Sequence, residues 1–272
     1  MSYQNFKPTI WSKYIQREVE RKSQLADWCN KKFEGEAKLG EKVKIIGVGA
    51  ATIKDYVPGV KIGAPEAVAD SSLYLEIDQA KFFNFGMDDI DKQQAKKGVM
   101  QAILKNTTDS MAVVRDKYVG SLAAKSEYMP DSATKATTGS AVKSAIDTAI
   151  LQLRENDIIS TMDVVIELPW FVYNKFKENL IELKTNNDEL LKKGVIAMYD
   201  GCYVRPSNNL HIVDSTYYGM VRTHDAIAFA SGIDKVKAYE PEEQFEEAIK
   251  GLNTFGAKIV RPKELVALKF TK

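Results

Sequence analysis

The chain has 272 residues and a mass of 30.4 kDa, with 38 basic and 37 acidic side chains. The resulting net charge of +1 excludes a strongly basic nucleic-acid binder and a polyacidic chaperone tail, although it leaves local charged patches open. Its 44% hydrophobic and 28% charged residues are ordinary globular values, and a chain of this length buries a core without disulfide or metal staples.

The two cysteines, Cys29 and Cys202, are too few for a disulfide scaffold and have no CxxC spacing. We expect both to be unpaired thiols in a reducing compartment. The N-terminus lacks the apolar core of a signal peptide, and no apolar run approaches the ~20 residues that a membrane span needs. The sequence therefore predicts a protein made in the cytosol, with no membrane partner.

Large apolar residues are scattered among charged ones in the first 33 residues, where seven Lys and Arg oppose three Asp and Glu. Ile10 and Tyr14 are spaced to share one face of a helix, and Trp11 lies beside them. The pattern fits an amphipathic helix packed on its own domain. It fits equally well an arm that lays its aromatic side chains on a neighbouring subunit, and composition does not decide between the two.

Residues 34–70 are rich in Gly, Pro and Lys and contain two alternating runs, at 42–46 and 52–57, which predict a long two-stranded excursion. An isolated hairpin is barely stable in water, so we expect it to lie on its own domain or on another chain. Its larger apolar residues are Val43, Ile45, Ile53, Tyr56, Val57 and Ile62.

A strand with one buried face is predicted at 72–78, where Leu73, Leu75 and Ile77 alternate with polar residues. The next predicted element is one long helix over 88–124, about 50 Å in length, with Asp88 as its N-cap. The expected core stripe of this helix consists of Met100, Ile103, Met111, Val114, Tyr118 and Leu122.

The second half of the chain alternates predicted helices and strands around a polar loop at 128–139. Helices are expected over 140–156, after Pro169, and over the acidic run 242–250. Strands are expected at 164–166, 195–199, 202–204, 218–223, 226–230, 233–239, 255–260 and 265–270. The fold class is therefore mixed α+β.

The sequence contains no Walker, G-x-S-x-G, H-E-x-x-H or Cys/His zinc spacing. Gly47 and Gly49 lack the third glycine of a dinucleotide-binding turn, and a bend in a hairpin explains them better. His211 and His224 have no Ser, Cys or Asp partner at a recognisable spacing. We expect no catalytic residue, no cofactor and no metal.

Several long stretches carry a resemblance that short motifs do not. They are KVKIIGVGAATIKDYVPG, DSSLYLEIDQAKFFNFGMDDID, GLNTFGAKIVRPKELVALKF and the middle segment VIELPWFVYNKFKENLIELKTNNDELLKKGVIAMYDGCYVRPSNNL. Together with the order of arm, hairpin, long helix, α/β block and return strands, they resemble the major capsid protein of tailed bacteriophages, which has the Hong Kong 97-type fold. The resemblance covers essentially the whole chain.

This resemblance implies an N-arm over 1–33, an extended E-loop over 34–70 and an axial domain over 136–233. The peripheral domain would comprise 71–135 and 234–272, with 88–124 as its spine helix. Shell subunits contact one another through unlike patches, which would explain an exposed arm and an unsupported hairpin. The residues expected at subunit interfaces are Trp11, Tyr14, Val43, Ile45, Ile53, Tyr56, Val57 and Ile62.

The implied function is structural: a subunit that self-assembles as pentamers and hexamers into the icosahedral shell around phage double-stranded DNA. It would reside in the virion, after assembly in the host cytoplasm, with separate scaffolding and portal proteins as partners and non-specific contact with DNA. Two alternatives stay open. One is an encapsulin-type bacterial compartment shell of the same fold, and the other is a cytosolic nucleotide-binding enzyme based on Gly47 and Gly49.

Overall fold

The computed structural model describes residues 22–32, 42–48, 70–88, 99–156, 158, 163–182, 198–239, 241 and 246–272. The elements are, in chain order, β1 (Lys42–Val48), β2 (Asp70–Glu76), β3 (Gln79–Asp88), α1 (Val99–Ser121), β4 (Thr134–Lys135), α2 (Gly139–Glu155), β5 (Val164–Leu168), α3 (Trp170–Glu182), β6 (Met198–Tyr199), β7 (Cys202–Pro206), β8 (Ile212–Val213), β9 (Thr216–Thr223), β10 (Ile227–Tyr239), β11 (Glu246–Ile259) and β12 (Leu265–Thr271).

A seven-stranded central sheet has the spatial order β4-β12-β9-β5-β7-β6, with β8 paired to β9. Its middle strand β5 is buried at all five positions, as its run VVIEL predicts for a strand covered on both faces. Helices α2 and α3 pack together and cover an apolar core that includes Ile146, Phe176 and Phe270. The apolar side chains between this sheet and its helices form one of three buried clusters in the described part of the chain.

Helix α2 follows from capping and apolar spacing. Thr138 precedes it in an extended conformation and accepts a hydrogen bond from the Ala141 amide. The residues that α2 buries repeat at three- and four-residue intervals: Val142, Ile146, Ala149, Ile150 and Leu153. Helix α3 begins one residue after Pro169, whose carbonyl accepts the first helical bond from the Tyr173 amide at 2.9 Å. Both helices confirm the sequence prediction to within a residue or two.

The closing strand β12 lies in the central sheet, between β4 and β9. Its antiparallel register pairs Leu265 with Arg222 and Phe270 with Tyr217. The expected domain map instead assigned all of 234–272 to the peripheral domain. Val266, Leu268 and Phe270 of β12 pack in the core beneath α2, whereas Leu265 and Ala267 pack in a second buried cluster. The strand therefore belongs to the central sheet, and the domain boundaries stay a prediction.

A second sheet is long, antiparallel and three-stranded, in the order β10-β11-β3. We call it the outer sheet. Residues 246–250, predicted as part of an acidic helix, form the start of its middle strand β11. The prediction is wrong because β11 is paired on both sides, with Ala248 opposite Tyr239 and Gly86, and this pairing outweighs the local helical pattern.

The structure describes the predicted helix over 88–124 from Val99 onward. Asp88 ends strand β3, opposite Glu246. The predicted start of the helix and its cap lie outside the described residues and stay predictions. Helix α1 is described from Val99 to Ser121 and continues as a 3-10 turn over Leu122–Lys125. Its 23 residues span about 34 Å. No helix among the described parts of the chain is long and apolar enough to cross a membrane.

The buried face of α1 contains polar and charged side chains, whereas the sequence predicted an apolar stripe. Met111 and Leu122 are buried as expected, and Ile103 and Tyr118 are partly buried. Val114 is 38% exposed, so its assignment to the core is wrong. The side chain of Met100 lies outside the described part of the structure. The fully buried positions on this face include the charged pair of neighbours Arg115 and Asp116, which hydropathy alone does not place in a core.

The base of the predicted hairpin is anchored on its own chain. Strand β1 pairs with β2, in a register that sets Val43 opposite Leu75. Leu75 and Ile77 are buried, as the alternating pattern predicted. The end of β2 crosses the outer sheet at Gly256, where a Cβ would lie 2.2 Å from the Glu76 carbonyl oxygen, so glycine permits this close approach.

Two valines on α1 differ in burial, so we expect the same substitution to change the stability of the protein very differently at the two positions. Val119 is 0% exposed and Val114 is 38% exposed. We expect Val119→Asp to lower the free energy of unfolding by more than about 3 kcal/mol, because it buries an unpaired carboxylate. Thermal melts of unassembled protein should show a fall of at least about 6 °C, whereas Val114→Asp should melt like the parent. Equal melting of the two variants would contradict the assignment.

Candidate assembly surfaces

Six of the eight residues expected at subunit interfaces lie outside the described part of the chain: Trp11, Tyr14, Ile53, Tyr56, Val57 and Ile62. The other two, Val43 and Ile45, are 4% and 6% exposed. They pack against Leu75, Ile77 and Ala228 of the same chain. Their expected contact with a neighbour is therefore wrong, because β1 is amphipathic and its apolar face covers the chain's own outer sheet.

Residues 22–32, here called the arm root, are held by a carboxylate of helix α1. Asp116 accepts hydrogen bonds from the backbone amides of Gln24 at 2.9 Å and of Leu25 and Ala26 at 3.1 Å, and from the side-chain amide of Asn209 at 3.2 Å. Burial raises the pKa of Asp116, while these four donors favour the charged form and oppose that rise. One carboxylate thus satisfies the free amides at the start of the turn.

The other end of the arm root is held by Arg222 of β9. Its guanidinium donates to the carbonyls of Leu25 at 2.9 Å and Trp28 at 2.6 Å, and makes a bidentate pair with Glu167 of β5 at 3.0 and 2.8 Å. Neither charged side chain is more than 2% exposed. Burial disfavours the charged guanidinium, but the Glu167 carboxylate outweighs it and raises the pKa of Arg222.

Sequence reasoning missed this network, although a signal was present. Glu167 interrupts the apolar run VVIEL, and Arg222 interrupts MVRT in another buried strand. A lone charge inside an otherwise apolar strand indicates a buried partner of opposite charge. The two residues are 55 positions apart, so local spacing gives no hint that they pair.

The arm root also extends the chain's own β-structure and buries a thiol. Asn30 forms a parallel bridge with Ala228, through bonds of 2.9 and 3.0 Å to the residues on either side. Cys29 is fully buried, lies 3.3 Å from the Leu25 carbonyl oxygen, and has a pKa raised to about 11 by burial. Cys29 and Cys202 are both free, which confirms the prediction of unpaired thiols.

Trp28 completes the anchoring on the outer side. The guanidinium of Arg205 lies over its ring at 4.5 Å, and the rings of Tyr203 and His224 approach edge-on at 5.7 and 6.0 Å. For residues 22–32, the first of the two interpretations therefore holds: this segment packs on its own domain. The interpretation of residues 1–21 stays a prediction.

Large apolar side chains are exposed at several separate places on the described surface, and these are candidates for contacts with other subunits. Phe82 on the outer sheet is the most exposed, at 81%. The others above half exposure are Leu151, Met198 and Ile212. Leu151 lies on α2, whereas Met198 and Ile212 lie in the short strands β6 and β8 of the central sheet.

The described residues contain no group of three or more His, Cys, Asp or Glu side chains arranged to hold a metal ion. Within the described ranges, the His224 imidazole forms a hydrogen bond with its neighbour Asp225, at 3.2 Å, in a 3-10 turn. The sequence predicts strands at 218–223 and 226–230, and this short turn joins the two observed strands β9 and β10.

The buried pair supports a testable prediction about the arm root. Glu167→Gln should lower the free energy of unfolding by about 3–5 kcal/mol, because it leaves a buried guanidinium without its counter-charge. The double variant Glu167→Leu with Arg222→Met should be less destabilised than either Glu167→Gln or Arg222→Met, since no buried charge is left. Denaturant unfolding curves of the four proteins give this comparison. Strict additivity of the two losses would contradict a coupled pair.

No protein-family model matches this chain, and no curated protein matches it in sequence. Solved structures do match. A structure from Mycobacterium phage Che8 is 25% identical over 90% of each chain, with a TM-score of 0.72. The capsid structure of the cyanophage P-SCSP1u is 15% identical over 92% of this chain and 88% of the other, with a TM-score of 0.74.

A virus-like particle from Pyrococcus furiosus matches less well in shape, with 12% identity over 96% of this chain and 98% of the other and a TM-score of 0.57. Because these similarities span nearly the whole of each chain, they establish the architecture as a unit rather than one shared motif. The mixed sheets and helices described above are therefore shared with a solved phage capsid structure: the chain has the α+β Hong Kong 97-type fold that its sequence resemblance implied.

Proposed function

We propose that this chain is the major capsid protein of a tailed bacteriophage, a structural subunit whose copies assemble into the icosahedral shell around double-stranded DNA. The observation that carries the proposal is the end-to-end similarity to phage capsid structures, at TM-scores of 0.72 and 0.74. In this role the chain has no catalytic activity and resides in the virion.

The surface supports a role in self-assembly. Exposed apolar residues occur on the outer sheet, on α2 and at the far edge of the central sheet, so subunits can bury area on several sides. The base of the β1–β2 hairpin is packed on its own chain. We propose that the intervening residues 49–69 are the part of the E-loop that contacts a neighbour, through Ile53, Tyr56, Val57 and Ile62.

The proposal extends to partners and domains. Residues 1–21, with Trp11 and Tyr14, would be the free part of the N-arm, and a peripheral domain would contain α1 and the outer sheet. An axial domain would contain the central sheet, α2 and α3, and would gather as pentamers and hexamers. Separate scaffolding and portal proteins would direct assembly. Contact with DNA would be non-specific, which suits a chain of net charge +1.

The alternative of a bacterial encapsulin-type compartment rests on the Pyrococcus furiosus particle, whose fold this chain also shares. The phage structures match with higher TM-scores, so the phage shell is favoured. The nucleotide-binding enzyme is not favoured. Gly47 lies in strand β1, paired with Ser71, rather than in a turn between a strand and a helix.

The direct test is electron microscopy of the purified protein, expressed alone and with the scaffolding protein encoded beside it. We expect closed icosahedral particles of uniform size. Nuclease-protected DNA inside particles from infected or induced cells would distinguish a phage shell from a compartment, which would instead contain a cargo enzyme. Protein that stays monomeric under both conditions would contradict the proposal.

Shortening the hairpin separates folding from assembly. We expect replacement of 49–69 by a short Gly-Ser turn to leave the melting temperature of unassembled protein nearly unchanged, because β1, β2 and their buried contacts are kept and loop closure changes little. The same variant should give no closed particles, since each missing intersubunit contact recurs throughout the shell. Light scattering after size-exclusion chromatography measures both results. Normal particles would show that 49–69 does not join subunits.

A further inference from the structure

The arm root is joined to the sheets by very little backbone pairing. From Ser23 onward it consists of turns and bends with one β-bridge. This bridge is made by the Asn30 amide, which donates to the Ile227 carbonyl at 2.9 Å, and by the Asn30 carbonyl, which accepts from the Phe229 amide at 3.0 Å. A strand inside a sheet is held by a whole ladder, as β9 is along Leu265–Phe270 of β12. The arm root can therefore leave without breaking a ladder, which makes it a candidate for local opening.

The charged side chains that hold the arm root keep other partners when it leaves. Asp116 keeps the side-chain amide of Asn209 at 3.2 Å, and Arg222 keeps both bonds to Glu167, at 3.0 and 2.8 Å. The bonds that opening breaks run from these side chains to backbone groups of the arm root, and water replaces them once the segment has lifted. Opening therefore avoids the costly result of breaking a buried pair, which is a charge left buried and alone.

The closed arm root also contains two polar atoms that are not satisfied. Ser23 Oγ and the indole nitrogen of Trp28 are both buried without a hydrogen-bond partner in the described part of the chain. A buried polar group without a partner loses its hydration and gains nothing in exchange, so each one destabilises the closed arrangement. Because both atoms regain water when the arm root lifts, they favour the open arrangement over the closed one.

Apolar burial opposes opening, and it is concentrated at one side chain. Leu25, Ala26 and Cys29 are no more than 2% exposed and belong to the same buried cluster as Val119 and Leu122 at the end of α1. Leu25 is the largest of the three, so it supplies most of the apolar area that the arm root buries there. A single leucine with two small neighbours closes the segment without making it part of either sheet.

We propose that the arm root is a strap that opens and closes as a unit while both sheets and α1 stay folded. The closed strap fixes the direction in which the chain before Lys22 leaves the folded body, and the open strap releases that part of the chain. Closure is the step that gives Arg222 its last two acceptors, the carbonyls of Leu25 and Trp28. The strap is a property of the single chain. Its use in a shell, where the arm would be placed after neighbouring subunits have met, rests on the proposed function.

Cys29 reports the state of the strap, because its thiol is fully buried when the strap is closed. In unassembled protein, the rate at which a thiol reagent modifies Cys29 is measured by peptide mass spectrometry, and hydrogen exchange of the β5 amides measures opening of the central sheet. We expect low urea concentrations to change the Cys29 rate little and to accelerate β5 exchange steeply, since only unfolding of the sheet exposes a large surface. The same urea dependence for both would overturn the proposal.

Two core substitutions separate the strap from the sheet. Leu25→Ala removes the apolar anchor of the strap and should speed modification of Cys29 by at least about twentyfold. Ile146→Val, in the core beneath α2, should speed β5 exchange by about threefold or more and leave the Cys29 rate nearly unchanged, because that core is closed whether the strap is open or not.

Equal acceleration of Cys29 by the two variants would show one global opening and overturn the strap. If Leu25→Ala does not fold, the urea dependence of the parent protein and the response to Ile146→Val still decide. No particle is needed for these measurements, so their outcome is independent of whether the chain forms a shell.

Discussion

The buried guanidinium of Arg222 is the constraint on which the described structure depends. A charged group with no access to water is tolerated only when its donors are satisfied, and here the acceptors come from two other parts of the chain. Glu167 belongs to β5, Arg222 itself to β9, and the carbonyls of Leu25 and Trp28 to the arm root. The sheet and the arm root therefore reach their final positions together, since neither satisfies the guanidinium alone.

The two sheets of the described structure differ in how far their faces are covered. The central sheet buries its middle strand on both faces beneath α2 and α3, which suits a compact unit. The outer sheet has a different character: its strands are up to 14 residues long and one face stays open. Polar groups on α1, above all Asp116, join the arm root to this second unit.

The sequence predicts these elements well wherever one residue pattern decides the structure. Alternation placed Leu75 and Ile77 in a core, helical spacing identified α2, and the apolar run of β12 gave a strand. Prediction failed where distant partners decide. Residues 246–250 form a strand because β10 and β3 lie on either side, and Val114 is exposed because α1 buries Asp116 against distant backbone amides. The capsid fold followed from long-range resemblance, whereas the partners of Arg222 and the register of the outer sheet required coordinates.

The position of β12 has a consequence for the cooperativity of folding. The last strand along the described chain, Leu265–Thr271, lies inside the central sheet and contributes Leu268 and Phe270 to its core. Without this strand, β9 keeps only β5 and β8 as partners, and the core beneath α2 stays open. The central sheet therefore cannot be completed by the strands that precede β12, and loss of this strand opens the core rather than trimming an edge.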